Sequence, residues 1–179
     1  MATKKYKVDI LSQSSIGRLI KDLQAYQNDL PNKTRLLAQR LAERGIVVAG
    51  ARIGQSPLGK HVTIRTEISE DVVGTRAILI AVGDVIESEG YEPFNTLLAI
   101  EFGAGVYYNE KENPKGPEFG YGPGTFPGQI HAFDDGWYYW DEVAQTWKYT
   151  HGVKATMPMY SASVAILQDA VRIAKEVFA

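Results

Sequence analysis

Fourteen residues near the middle of the chain, Phe94-Asn-Thr-Leu-Leu-Ala-Ile-Glu-Phe-Gly-Ala-Gly-Val-Tyr107, constrain its fold more than any other stretch. Phe94, Leu97, Leu98, Glu101 and Phe102 fall at i, i+3, i+4, i+7 and i+8, one side of a short helix. Pro93 suits its first position, and Gly103 or Gly105 suits the left-handed residue that stops it. Glu101 is the oddity, a carboxylate within an apolar stripe. Buried without a partner, it costs several kcal/mol or takes up a proton. Its spacing therefore predicts either an arginine or the amides freed where the backbone turns through Gly103 and Gly105. The alternative is that the stripe is narrow and Glu101 snorkels at its rim.

A chain of 179 residues is read as one domain spanning residues 1–179, long enough for a proper core. It has no cysteine, which removes disulfides and thiol chemistry. No signal-like opening and no run of about 18 apolar residues is present, so a soluble, non-exported protein without membrane contact is expected. The net charge of −2 is unevenly spread. Residues 1–65 carry 12 Lys/Arg against 4 Asp/Glu, or +8, and residues 66–179 carry 7 against 17, or −10. Either the two halves attract within one fold, or the basic face of one copy meets the acidic face of the next, which favours a head-to-tail ring. Nucleic-acid binding by a groove gains little support, because the basic residues are not interleaved with stacking aromatics.

The remaining elements give an α+β reading. Ser14 or Ser15 is expected to cap a helix carrying Ile16, Leu19, Ile20, Leu23 and Leu30, interrupted by Pro31. A second helix is expected from about Asn32 to Ala49, with Leu37, Leu41 and Val48 inward. His61–Ile68 alternates as a strand with one wet face, and the wholly apolar Ala77–Val82 reads as central in a mainly antiparallel sheet. Asp84–Glu92 is an acidic connection. Tyr108–Gly128 is rich in Gly and Pro, which excludes a helix or central strand and predicts a mobile loop that orders only against a partner. Gly136–Asp141 and Thr146–Thr150 read as a hairpin closed by Glu142–Gln145, with aromatics on both faces, so residues 108–151 are expected to protrude. Ser161 or Ser163 would cap a C-terminal helix whose broad apolar band packs across the sheet.

No catalytic constellation is legible. His131, Asp134 or Asp135, and His151 flank the hairpin without the spacing that sets two metal ligands on one helix turn. No serine stands in a G-x-S-x-G context. Gly120–Gly124 lacks the Lys-Ser/Thr and the helix of a phosphate loop. Neither enzyme activity nor any cofactor is expected. A carbohydrate- or cell-wall-binding module built on Trp137–Trp140 is the competing reading, although such hairpins normally act in tandem arrays.

Glu101-Phe102-Gly103-Ala104-Gly105 resembles the Glu-Phe-Gly-Thr-Gly string of the tail-completion (neck, or minor tail component) family of long-tailed bacteriophages. Gly152-Val153-Lys154-Ala155, then Met159-Tyr160 and a helix, is similar to that family's Gly-x-x-Ala-x-Pro-Phe-Met approach to its last helix, with Met157-Pro158 departing from the usual Pro-Phe order. The resemblance covers roughly residues 15–178. It implies a non-enzymatic virion protein, assembled in the host cytoplasm into a ring, hexameric by analogy, that joins the tail to the head connector with DNA passing through. Within that expectation Glu101, Phe102, Gly103 and Gly105 are the structural keystone. Phe119, Tyr121, Phe126, Trp137, Tyr138, Tyr139 and Trp140 are the expected contacts with other copies or other neck and tail proteins. Asp84, Glu87, Glu89 and Glu92 are the expected channel-facing acids, where like-charge repulsion keeps DNA sliding.

Overall fold

Ser12 starts the longest element, its hydroxyl accepting from the Ser15 amide at 3.3 Å, two or three residues before the expected cap, Ser14 or Ser15. The helix α1 then runs unbroken from Gln13 to Ile53, 41 residues. The two helices expected on either side of Pro31 are therefore one. Pro31 removes a single i→i−4 bond, about 3 kcal/mol in a helix interior, and no glycine stands beside it to stop the chain. The computed structural model describes residues 6–71, 74–87, 93–105, 113–119, 135–141 and 143–179, the side chains of Trp137, Tyr139 and Trp140 excepted.

The second half of α1 is the centre of the molecule. Its inward positions are Ala42, Gly45, Ala49 and Ile53, mostly small, with the expected Leu41 and Val48 half-buried beside them. Small residues let two layers close onto the same helix. A Cβ on Gly45 would stand 2.9 Å from Ile166 Cδ1 on one side and 3.0 Å from Leu79 Cδ2 on the other. Those two side chains belong to α3 (Pro158–Val177) and β2 (Thr75–Gly83). The cost of Gly45 in a helix, about 1 kcal/mol, is thus offset by the close approach it permits.

The C-terminal helix packs toward the sheet as its apolar band implies, with α1 as its main neighbour. The ion pairs Arg40–Glu176 (3.4 Å) and Arg44–Asp169 (2.7 Å) show that α1 and α3 run antiparallel. Asp169 is also held by Arg172, which reaches on to Glu176 at 2.8 Å.

All strand pairing among the described residues is antiparallel, in four two-stranded ladders. The largest pairs β1 (Val62–Glu70) with β2 in full register from Val62↔Gly83 to Glu70↔Thr75. Val62, Ile64 and Thr66 are half-buried and alternate with exposed neighbours, as the sequence pattern predicts. The central position expected for Ala77–Val82 is not found. Among the described residues β2 has a partner along one edge only, and Val82 is half exposed. Its apolar inner face is covered by α1 rather than by further strands.

The remaining strands are short: β3 (Val85–Ile86) with β4 (Phe94–Asn95), then β5 (Ala104–Gly105), β6 (Trp137–Asp141), β7 (Thr146–Thr150) and β8 (Gly152–Val153). Between β4 and β5 lies α2 (Thr96–Phe102), capped by Asn95 through its side chain and the Leu98 amide at 3.1 Å. The helix therefore begins beyond Pro93 and Phe94. Phe94 sits in a strand and Leu98 faces outward, while Thr96, Ala99, Ile100, Glu101 and Phe102 are buried. The predicted stripe is rotated because a seven-residue helix embedded at its C-terminal end buries neighbours all round, not one face.

Thr96 staples α2 to the end of β2. Its hydroxyl donates to the Asp84 carbonyl at 3.0 Å, and its amide donates to the same carbonyl. Gly83 must lack a side chain there, since a Cβ would lie 2.5 Å from the Leu97 nitrogen.

Candidate functional site

The Glu101 carboxylate lies at the end of α2, and it is buried. Three donors converge on it. The amides of Met159 (to Oε2, 2.9 Å) and Tyr160 (to Oε1, 3.0 Å) come from the first turn of α3, and Asn113 Nδ2 reaches Oε1 at 3.0 Å. Glu101 thus caps α3 from another element of the fold. The local sequence leaves that role open. Met157, the residue at the cap position, makes no side-chain bond, and Pro158 has no N–H, so the first free amides are those of Met159 and Tyr160. A negative charge placed there also meets the positive end of the helix dipole.

The expected need for a dedicated partner is met, among the described residues by Asn113 and by two amides of α3. No arginine is bound to Glu101, and the Gly103 amide is already used by the Ala99 carbonyl. Asn113 is 4% exposed and its orientation is fixed, because its Oδ1 accepts from the Lys115 amide at 2.9 Å, turning the NH2 toward Glu101. Nothing in the sequence marks Asn113 apart from its Gly/Pro-rich surroundings. Residues 113–119 include a 3-10 turn, Gly116–Phe119, where no fixed structure was expected, and they are tied to the body by Asn113.

The keystone glycines close the same clasp. Gly103 (φ 82°) ends α2 and Gly105 (φ 68°) is the last residue of β5. β5 pairs with β8 through Ala104↔Val153 and Gly105↔Gly152. Gly152 (φ 105°) admits no Cβ, which would fall 1.9 Å from the Ala104 carbonyl oxygen. The Thr156 amide donates to the Ile100 carbonyl at 2.9 Å. Phe102 is buried and tilts against Phe119 (centroids 5.8 Å apart), whose other side is exposed.

The hairpin forms as predicted, and its register sets Tyr138 opposite Tyr149 and Trp140 opposite Trp147. Its turn is held by Asp141, which accepts from the Val143 and Ala144 amides and pairs with Lys148. The hydrogen bond from Lys148, with the Ala144 amide behind it, lowers the Asp141 carboxyl below its ordinary value. Tyr138, Trp147 and Tyr149 are all exposed, Tyr138 and Trp147 by about two thirds (67% and 64%). Tyr138 and Tyr149 lie 4.9 Å apart, and the Tyr149 hydroxyl accepts from the Gly136 amide.

Among the acidic candidates, Asp84 is largely exposed and bonds His61 Nδ1 at 3.0 Å, and Glu87 is exposed. Glu89, Glu92, Tyr121, Phe126, His131 and Asp134 lie outside the described residues. His151 stands edge-on to Tyr149 at 5.1 Å. Among the described residues no group of three His, Asp or Glu converges as a metal site, and no helix is long and apolar enough to cross a membrane.

What these residues define is an α+β fold with a carboxylate-capped clasp and an open aromatic hairpin. No protein-family model, no curated protein and no solved structure matches the chain.

Proposed function

We propose that the protein is a non-enzymatic structural subunit of a bacteriophage neck or tail end, working as one member of a ring that completes the tail and joins it to the head connector. The observation that carries this reading is apolar surface left open on the hairpin. Tyr138, Trp147 and Tyr149 present one continuous aromatic face on the hairpin, and a lone copy does not cover it. The Glu101 clasp supports the same reading, because it fixes the base of the segment that leads to the hairpin (β5–β8) while the hairpin itself stays exposed. The resemblance of Glu101–Gly105 and of the approach to α3 supplies the virion context. In that setting the DNA passes through without specific binding, and Asp84 and Glu87 are candidate wall residues.

The test is sedimentation and negative-stain imaging of the pure protein, alone and with isolated phage tails. Rings, or added density at the tail end that is lost in Tyr138→Ala/Trp147→Ala, are the expected result. The same aromatic face favours one other reading, a cell-wall or carbohydrate-binding module. Retention on purified cell wall without tail-end density would establish that reading instead.

A further inference from the structure

The first half of α1 overhangs the molecule. Arg40 meets Glu176 near the end of α3, and Arg35 meets Glu70 at the end of β1, so residues before about Arg35 lie beyond both neighbours. Every residue from Ile20 to Asn32 is exposed. This overhang, residues 13–33, is about 30 Å long. Such a helix gains little from its own propensity, with Gly17 and Pro31 within it.

Yet the overhang carries apolar residues at Ile16, Leu19, Leu23, Tyr26 and Leu30, spaced 3, 4, 3 and 4. That is the seam of a coiled coil, narrower than the band of a core-facing helix. The segment Tyr6–Val8 walls one side of an open groove of about 320 Å³ over Leu19 and Asp22, and Asp22 remains exposed.

A second seam with the same spacing lies on α3: Val164, Leu167, Val171, Ala174 and Phe178. It is not the buried face, which carries Ala162, Ile173 and Val177, nor the position of Ile166 against Gly45 of α1. Leu167 is 76% exposed and Val171 65%.

We propose that the overhang of α1 docks, parallel, along the open α3 seam of a second copy of this chain. With Ile16 set over the partner's Val164, each layer matches: Leu19 over the partner's Leu167, Leu23 over the partner's Val171, and the large Tyr26 over the small Ala174 of the partner subunit. In the same register Asp22 faces the partner's Lys175, the g-to-e′ pairing that sets orientation in parallel coiled coils. Pairing two overhangs with each other is poorer. It sets Tyr26 against Tyr26, and either faces acidic rows or gives Asp22 only Gln27, and it leaves Leu167 and Val171 in water. The contact cannot form within one chain, because α1 is continuous and already antiparallel to its own α3. Each docking event leaves one free arm and one free seam, so the contact repeats until it closes. It deepens the ring reading, and rests on it only for closure.

Sedimentation of the full chain tests this with Leu23→Glu on the arm and Leu167→Glu on the seam, both at exposed positions, with circular dichroism to confirm folding. Each variant alone is expected to be monomeric, and their equimolar mixture to form a dimer, since one intact contact remains. Asp22→Lys and Lys175→Asp should each weaken association about two- to fivefold, and together restore it. A monomeric wild type, an L167E variant that associates like wild type, or a mixture that stays monomeric would each overturn the arm. Rings that survive in both single variants overturn the arm while sparing the ring, whereas arm-dependent open filaments spare the arm and remove the ring.

Discussion

Glu101 accepts from three donors, so no neutral residue of similar size can replace it. A glutamine keeps one acceptor oxygen and turns an NH2 toward either Asn113 or the α3 amides, all of which donate. Glu101→Gln should lower stability by about 1–2 kcal/mol and Glu101→Ala by about 2–4 kcal/mol, the latter leaving the amides of a buried helix start unpaired. Urea denaturation of both variants checks the order. Wild-type stability in Glu101→Ala would remove the clasp. Gly152→Ala belongs to the same clasp and should cost about 3 kcal/mol, since a side chain collides with the Ala104 carbonyl at a positive φ. The carboxylate's need for donors was legible in the sequence, because a charge inside an apolar stripe demands them. Their source was not. Met159 and Tyr160 lie 58 and 59 residues further on, and only the absence of a local cap on α3 hints at the link.

At the scale of elements, strands and helices with strong periodicity were legible, as in β1, the aromatic hairpin and α3. Errors arose where one residue was given more authority than its neighbours. Pro31 was read as a break, although one missing hydrogen bond does not outweigh the turns on either side of it. Ala77–Val82 was read as a central strand because it is apolar on both faces, yet among the described residues it pairs along one edge only, with its other residues half-buried and Val82 half exposed. The α1–α3 pair makes its own prediction. Asp169 is held below its ordinary value of 3.8, mainly by the hydrogen bond from Arg172 and then by Arg44. A carboxyl depressed in the folded state contributes stability that is complete above its unfolded value and is lost as pH falls through the folded one. Thermal unfolding should therefore show a loss from about pH 4 downward. In Asp169→Asn that part of the acid dependence should disappear, with a lower melting temperature at neutral pH. An unchanged acid profile in the variant would assign the effect to other carboxylates.

At the scale of the whole molecule, the division into a basic first part and an acidic second part finds a partial answer inside the fold. Arg35 with Glu70, Arg40 with Glu176 and Arg44 with Asp169 join the two halves of the sequence within one chain. Those six charges are paired within the chain, and charge attraction between copies has that much less to work with. Apolar surface remains open as well: the hairpin aromatics, the overhang of α1 and the outer seam of α3. Salt separates the two driving forces. Raising ionic strength from about 0.1 M to about 1 M shortens the screening length from about 10 Å to about 3 Å, which suppresses attraction between exposed charged faces but leaves burial of apolar surface intact. Assemblies of this chain should survive that change with at most a few-fold loss of affinity, the share carried by Asp22 and Lys175. Sedimentation velocity across the salt series measures it. Complete dissociation at high salt would mean that charged faces, rather than the helical seams and the hairpin, bring the copies together.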